Sequence, residues 1–142
     1  MAIVLKNTNK TLINFKTINF SDFPNNFKFQ PIKNDLTNIT NEDSVKQSIK
    51  NIIFTNKGER FFNPNFGSDI NLMLFENITP ATEQIISDLI KTSISNFEPR
   101  ANVIEVNVNS YSDENSVLVT IIFSTLNSAE PITLDFILDR IR

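Results

Sequence analysis

The residues best placed for directed chemistry are Glu98, Pro99 and Arg100. A carboxylate and a guanidinium stand on either side of a ring that fixes φ and lacks an N–H donor, so the turn is stiff. Arginine presents a planar fork of donors suited to a carboxylate or a row of carbonyls, and the chemistry on offer is recognition. Proline also disfavours helical geometry at the residue before it, so a helix arriving here should end at or just before Glu98. Taken alone, the same tripeptide is an ordinary helix stop with two charges in water. A second group of interest is Gly58-Glu59-Arg60, which opens a stretch ending at Gly67 and holding both glycines of the chain. So sparing a use of glycine points to positions that need positive φ or a close backbone approach. The stretch has Phe61, Phe62 and Phe66 to bury and a Glu-Arg pair to present, and it reads as a packed, shaped loop.

Composition narrows the classes. At 142 residues the chain has room for one domain with a real core. It has no cysteine, which excludes disulfides, thiol catalysis and thiolate metal sites. It has no histidine, so neither a Ser-His-Asp triad nor an imidazole zinc site can be built. Net charge is −3 and the isoelectric point is near 4.9, with Lys and Arg scattered, so a nucleic-acid groove is not expected. Residues 1–6 hold only a short apolar run, and nothing downstream approaches a membrane span. A soluble chain made in the cytoplasm is the expectation, with no membrane partner. There is no Asp-rich loop of EF-hand type and no phosphate-cradling glycine loop, and no metal or cofactor is expected.

The elements that must position these residues follow from periodicity. Residues 1–40 lack a sustained period and set Phe15, Ile18, Phe20, Phe23, Phe27 and Phe29 among polar residues. They read as an extended, aromatic-rich arm that lies on its own core or on a neighbour, ahead of a single core domain over 41–142. Thr40 can cap a first helix whose apolar stripe is Val45, Ile49, Ile52 and Ile53, with Gly58 placed to stop it. Ser68 or Asp69 can cap a short helix over 70–75. Thr79-Pro80 starts the strongest helix, about 80–97, with Ile85, Ile86, Leu89, Ile90, Ile94 and Phe97 on one face. The period then becomes two: Ile104, Val106 and Val108; a turn at 112–115; a nearly continuous apolar run over 117–123; a polar link over 127–131; and Ile132, Leu134, Phe136 and Leu138. The fold class is α+β, an antiparallel three-stranded (or slightly larger) C-terminal meander packed on amphipathic helices, with the extended N-terminal arm. On an edge strand, Asp135, Asp139 and Arg140 would act as charged gatekeepers. The alternative is an edge that accepts a partner strand.

The order of these pieces is familiar. The run 45–53 leads into Thr55-Asn56-Lys57-Gly58-Glu59-Arg60, then Pro64-Asn65-Phe66-Gly67-Ser68, Leu74-Phe75-Glu76, and Glu98-Pro99-Arg100 after an amphipathic helix. Over roughly residues 20–140 the chain resembles the baseplate wedge or sheath-initiator family of contractile tails, the small "lysozyme-like" baseplate proteins of contractile-tailed phages, with relatives in type VI secretion baseplates. Glu-Pro-Arg is the signature of that family, and Phe20-Ser21-Asp22-Phe23 looks more like the phage branch. The resemblance implies a structural part of the virion tail baseplate, made in the host cytoplasm, that binds wedge proteins near the tail tube and starts assembly of the tail sheath. It implies that Glu98, Pro99 and Arg100 contact the wedge, Arg100 meeting partner carboxylates or carbonyls and Glu98 a partner cation. Gly58, Glu59, Arg60 and Gly67 would shape the adjoining surface, and the strand near residues 132–138 would be the candidate for pairing with a sheath arm.

The family's lysozyme-like label also raises an enzyme reading, a peptidoglycan-cleaving glycosidase. Such an enzyme needs two carboxylates about 5 to 9.5 Å apart across a cleft, one with a raised pKa. Glu59, Asp69, Glu76 and Glu98 could supply a pair. Tryptophan is absent and tyrosine occurs once, so sugar-stacking rings would have to be phenylalanines. Arg60 and Arg100 lie beside two of the candidates and, if paired with them, would lower their pKa, the reverse of what a general acid needs. A non-enzymatic assembly protein is the expected class.

Overall fold

The computed structural model describes residues 19–32, 34–77, 79–111, 116–126 and 128–139. Expectations for residues 1–6, Phe15, Ile18, the turn at 112–115, Asn127 and Arg140 lie outside them. The chain begins with four short strands, β1 (Ser21–Asp22), β2 (Phe29–Gln30), β3 (Asp35–Leu36) and β4 (Ile39–Thr40). Helices α1 (Glu42–Phe54), α2 (Ile70–Leu74) and α3 (Pro80–Phe97) follow, and β5 (Ala101–Tyr111), β6 (Ser116–Thr125) and β7 (Ser128–Asp139) complete the order. β5, β6 and β7 form an antiparallel meander in the order β5-β6-β7, so β6 is central and the other two are edges. β1 pairs with β4 and β2 with β3, each ladder two residues long. The α+β class and the C-terminal meander on helices are as the sequence implies.

The core lies between the helices and one face of this sheet. Val45, Ile49 and Ile53 of α1 and Ile86, Ile90 and Ile94 of α3 meet Val117, Val119, Ile121 and Phe123 of β6 and Leu134, Phe136 and Leu138 of β7. Each such side chain removed from water contributes about 1.5–3 kcal/mol before conformational entropy is subtracted. Glu83 and Ser87 of α3 add polar ties to β5. The Glu83 carboxylate accepts from the N–H and hydroxyl of Ser110 at 3.1 and 2.5 Å, and the Ser87 hydroxyl donates to the Val106 carbonyl at 3.1 Å.

Several local expectations are corrected. Thr40 does not cap α1, because it is paired with Ser21 in the β1-β4 ladder. Asn41 precedes the helix instead, at φ 49°, and its side chain makes no cap bond because it accepts from the N–H groups of Asn19 and Phe20 at 2.8 and 3.3 Å. Gly58 does not end α1: Thr55 does, turning extended while its N–H and hydroxyl both donate to the Asn51 carbonyl. Asp69 stands at the start of α2 without capping it, since its carboxylate pairs with Lys57, and the Ser68 hydroxyl donates to the Ile53 carbonyl at 2.8 Å. Thr79 does cap α3, accepting from the Thr82 N–H. In β5 a bulge leaves Ile104 without an opposite residue, so it turns outward and the inward alternation restarts at Val106. Ile85 of α3 likewise faces water. β7 starts at Ser128, earlier than the polar composition of 127–131 suggests, and admits Pro131 because it is an edge strand.

The two glycines have different reasons. Gly67 has φ +111° and a Cβ there would sit 2.3 Å from the Thr55 carbonyl oxygen, which accepts from the Ser68 N–H at 2.9 Å. Gly58 has φ +85° with open space around it. Gly58→Ala should cost about 1–2 kcal/mol from backbone strain alone. Gly67→Ala should cost roughly 1–3 kcal/mol more, because the strand-like contact at residue 55 must move. Urea denaturation of the two variants beside wild type checks the order.

Candidate functional site

Helix α3 delivers the Glu-Pro-Arg motif to the start of the sheet. Its last helical residue is Phe97, and the Glu98 N–H still donates to the Ile94 carbonyl at 2.8 Å while the backbone of Glu98 leaves helical geometry at φ −129°, ψ 76°. Pro99 therefore stops the helix where the sequence implies. The Ala101 N–H donates to the Glu98 carbonyl at 3.1 Å and closes the turn, and the Leu126 N–H donates to the Arg100 carbonyl at 3.2 Å, tying the turn to the β6-β7 link.

The two charges meet each other. Glu98 is 2% exposed. Arg100 folds back over it, donating from Nε to one carboxylate oxygen at 2.6 Å and from Nη2 to the other at 2.7 Å. The fork geometry gives two parallel charge-assisted bonds. Ser48 on α1 also acts on this carboxylate in favour of its charged form. Burial alone would raise the Glu98 pKa, but the bonds from Arg100, the action of Ser48 and the guanidinium charge outweigh it and hold the group below its usual 4.5. The bond to Glu98 raises the Arg100 pKa against the opposite effect of burial, and the Glu98 and Asp22 charges act in the same direction as that bond. The guanidinium carbon lies 5.2 Å from the centroid of the Phe20 ring, which itself packs on the core. In the chain by itself the two charges are thus paired internally, and of the motif the outer edge of Arg100, 31% exposed, and Pro99 face solvent.

The glycine-bounded loop joins the same neighbourhood. Gly58 donates its N–H to the Pro64 carbonyl at 2.7 Å, and the Glu59 carboxylate accepts from the Asn56 N–H at 2.9 Å. The Arg60 guanidinium lies 3.9 Å above the centre of the Phe66 ring, and that ring lies 5.1 Å from Phe97. A stack from Arg60 through Phe66 therefore reaches the residue preceding Glu98. The expected burial of all three loop phenylalanines fails at two of them: Phe61 is 98% and Phe62 104% exposed. The bonds from Gly58 to Pro64 and from the Asn63 N–H to the Arg60 carbonyl put both at the tip of the turn. Sequence reasoning missed Ser48, Phe20 and the Phe66–Phe97 contact. Only the aromatic character of Phe20 and Phe66 hinted at them, since no local spacing links residues 48 and 98.

Of the four carboxylates weighed for glycosidase chemistry, Glu98 is paired with Arg100, Asp69 with Lys57, and Glu59 is committed to the Asn56 backbone. The groove beside the motif, about 320 Å³ and lined by Lys91, Ser95, Pro99, Ala101, Asn102 and Val103, presents none of the four.

Residues 40–130 match the family of baseplate wedge protein gp25, and the chain belongs to that family. It is 39% identical over 89 residues to baseplate wedge protein gp25 of Enterobacteria phage T4, covering 63% of this chain and 67% of that one. A structure from Geobacter sulfurreducens with the provisional name of tail lysozyme shares the fold, with TM-score 0.66 at 24% identity over 71% of this chain and 92% of the other. A chain of the anti-feeding prophage baseplate aligns with TM-score 0.60 at 20% identity over 87% of each chain. At such identities these two similarities describe the fold alone.

Because Glu98 is buried, removing its partner is costly. Arg100→Ala should lower stability by about 3–5 kcal/mol, since it leaves an uncompensated buried carboxylate. The pH dependence follows in sign. A lowered folded-state pKa stabilises the chain above the ordinary carboxylate value and that contribution is lost as pH falls through the lowered value. The stability gap between wild type and Glu98→Gln should therefore be widest near neutral pH and shrink below about pH 4. Urea midpoints at pH 7 and pH 3 measure it.

Proposed function

We propose that this chain is a non-enzymatic structural component of a contractile-tail baseplate wedge, residing in the virion tail baseplate after synthesis in the host cytoplasm. The family membership across residues 40–130, which contains the whole Glu-Pro-Arg turn and the glycine-bounded loop, is the observation that carries this reading. In it, Pro99 and the outer edge of Arg100 touch wedge proteins, and Glu98 acts from beneath as the residue that aims the guanidinium. Gly58, Glu59, Arg60 and Gly67 hold the adjoining loop in shape. The fully exposed rings of Phe61 and Phe62 extend the same surface with an apolar tip of the kind that marks protein contacts. β7, unpaired along its outer edge among the described residues, pairs with an arm of the sheath protein and so starts the sheath close to the tail tube. Residues 1–40 serve as an arm on the core domain of 41–142, and the bonds of Asn19 and Phe20 to Asn41 support its lying on this chain's own core.

A peptidoglycan hydrolase is the competing reading, and the pairing of Glu98 argues against it. The decisive assay mixes the purified chain with wedge and sheath proteins of the same tail, beside a peptidoglycan-hydrolysis assay on the same material. Wild type should form complexes without releasing soluble fragments. Phe61→Ser/Phe62→Ser, with an unchanged unfolding midpoint, should bind wedge proteins at least about tenfold more weakly. A chain that stays alone and cleaves peptidoglycan would overturn the proposal, and full affinity in the double variant would remove the aromatic tip from the contact.

A further inference from the structure

Among the described residues β7 is paired on one side only, and its outer edge carries a charge pattern that specifies what can pair with it. Residues 101–139, which include the three strands of the meander, contain Glu105, Asp113, Glu114, Glu130, Asp135 and Asp139 and no Lys or Arg, the nearest basic residues in sequence being Arg100 and Arg140 on either side. On β7 the side chains alternate without interruption. Leu134, Phe136 and Leu138 are buried against the core, while Asp135, Ile137 and Asp139 stand exposed on the outer face. Pairing with β6 keeps one register from Ile132 opposite Phe123 to Asp139 opposite Ser116, so this stretch is a straight template. Pro131 cannot donate a backbone hydrogen bond, which sets the lower limit of the usable edge at residue 132. The opposite edge, β5, is interrupted by the bulge at Ile104 and makes a poorer template.

We infer that the edge of β7 selects an extended partner segment with two basic residues four positions apart and apolar residues between and after them. Resting on the strand-pairing part of the function proposed above, this names the chemistry of the partner strand. In a strand added to β7, residues opposite Asp139, Ile137 and Asp135 lie two positions apart on the outer face, as the period of a strand requires. Basic side chains opposite the two aspartates make favourable cross-strand pairs, whereas acidic ones are repelled. Residues opposite Leu138, Phe136 and Leu134 point inward and complete the margin of the core. Because the aspartates flank Ile137 symmetrically, the basic-apolar-apolar-apolar-basic order holds for a parallel or an antiparallel partner. The same carboxylates that discourage self-pairing of this acidic edge therefore favour a basic guest.

The test uses the full chain, isotope-labelled, titrated with two synthetic peptides. One is Thr-Lys-Val-Val-Val-Lys-Val-Thr, and the other replaces both lysines with glutamates. The lysine peptide should shift amide resonances of β7 and bind about tenfold or more tightly than the glutamate peptide, with the gap shrinking at high salt. In Asp135→Lys/Asp139→Lys, both sites being exposed, the preference should reverse. Equal binding of both peptides along β7 would overturn the charge rule and leave strand pairing intact. No perturbation of β7 by either peptide would overturn both.

Discussion

The buried carboxylate of Glu98 is the constraint around which this structure closes. An isolated charge at that depth would cost several kcal/mol, so its position is tenable only with matched donors. The Arg100 fork supplies them, and Ser48 further favours the charged form. Those partners come from the turn into β5 and from α1, while Glu98 itself ends α3. One ion therefore fixes how a helix end, a second helix and the first strand of the sheet meet. Phe20 over the guanidinium adds the N-terminal segment to the same junction.

Under the proposed function, this arrangement changes what a Glu-Pro-Arg contact would mean. A salt bridge already satisfied internally offers a partner little as a pair of open charges. It offers instead a rigid knuckle: Pro99 exposed, Arg100 held in one direction, and a loop stacked on Phe97 through Phe66 and Arg60. Rigidity of this kind lowers the entropy that binding must overcome. The same internal pairing depresses the one deeply buried carboxylate among those weighed as a general acid, so assembly and hydrolysis make opposite demands on Glu98.

What the sequence disclosed was whatever periodicity controls. The stripe Val45, Ile49, Ile52, Ile53 and the inward set of β7 were legible from the spacing of 3.6 or of 2, and the Thr79-Pro80 start of α3 and the stop at Pro99 from local cap and proline chemistry. Positions decided by distant partners were not. Thr40 has the right chemistry for a cap but is claimed by Ser21, Asp69 by Lys57, and Ile104 sits in a bulge that only the β6 register reveals. At the candidate site, the residue types and the turn were readable, while the mutual pairing of Glu98 and Arg100 and the help from Ser48 depend on packing across 50 residues of chain. Hydrophobicity alone also misplaced Phe61 and Phe62, since the backbone bonds that close the loop put both at the turn tip, in water.

The most direct test of this account is a double-mutant cycle on Glu98→Gln and Arg100→Leu, followed by urea unfolding at neutral pH. If the pair is the constraint that closes the junction, each single variant is strongly destabilised and the coupling energy is about 1.5–3 kcal/mol. A coupling below about 0.5 kcal/mol, with additive losses, would contradict it and make Glu98 and Arg100 independent neighbours.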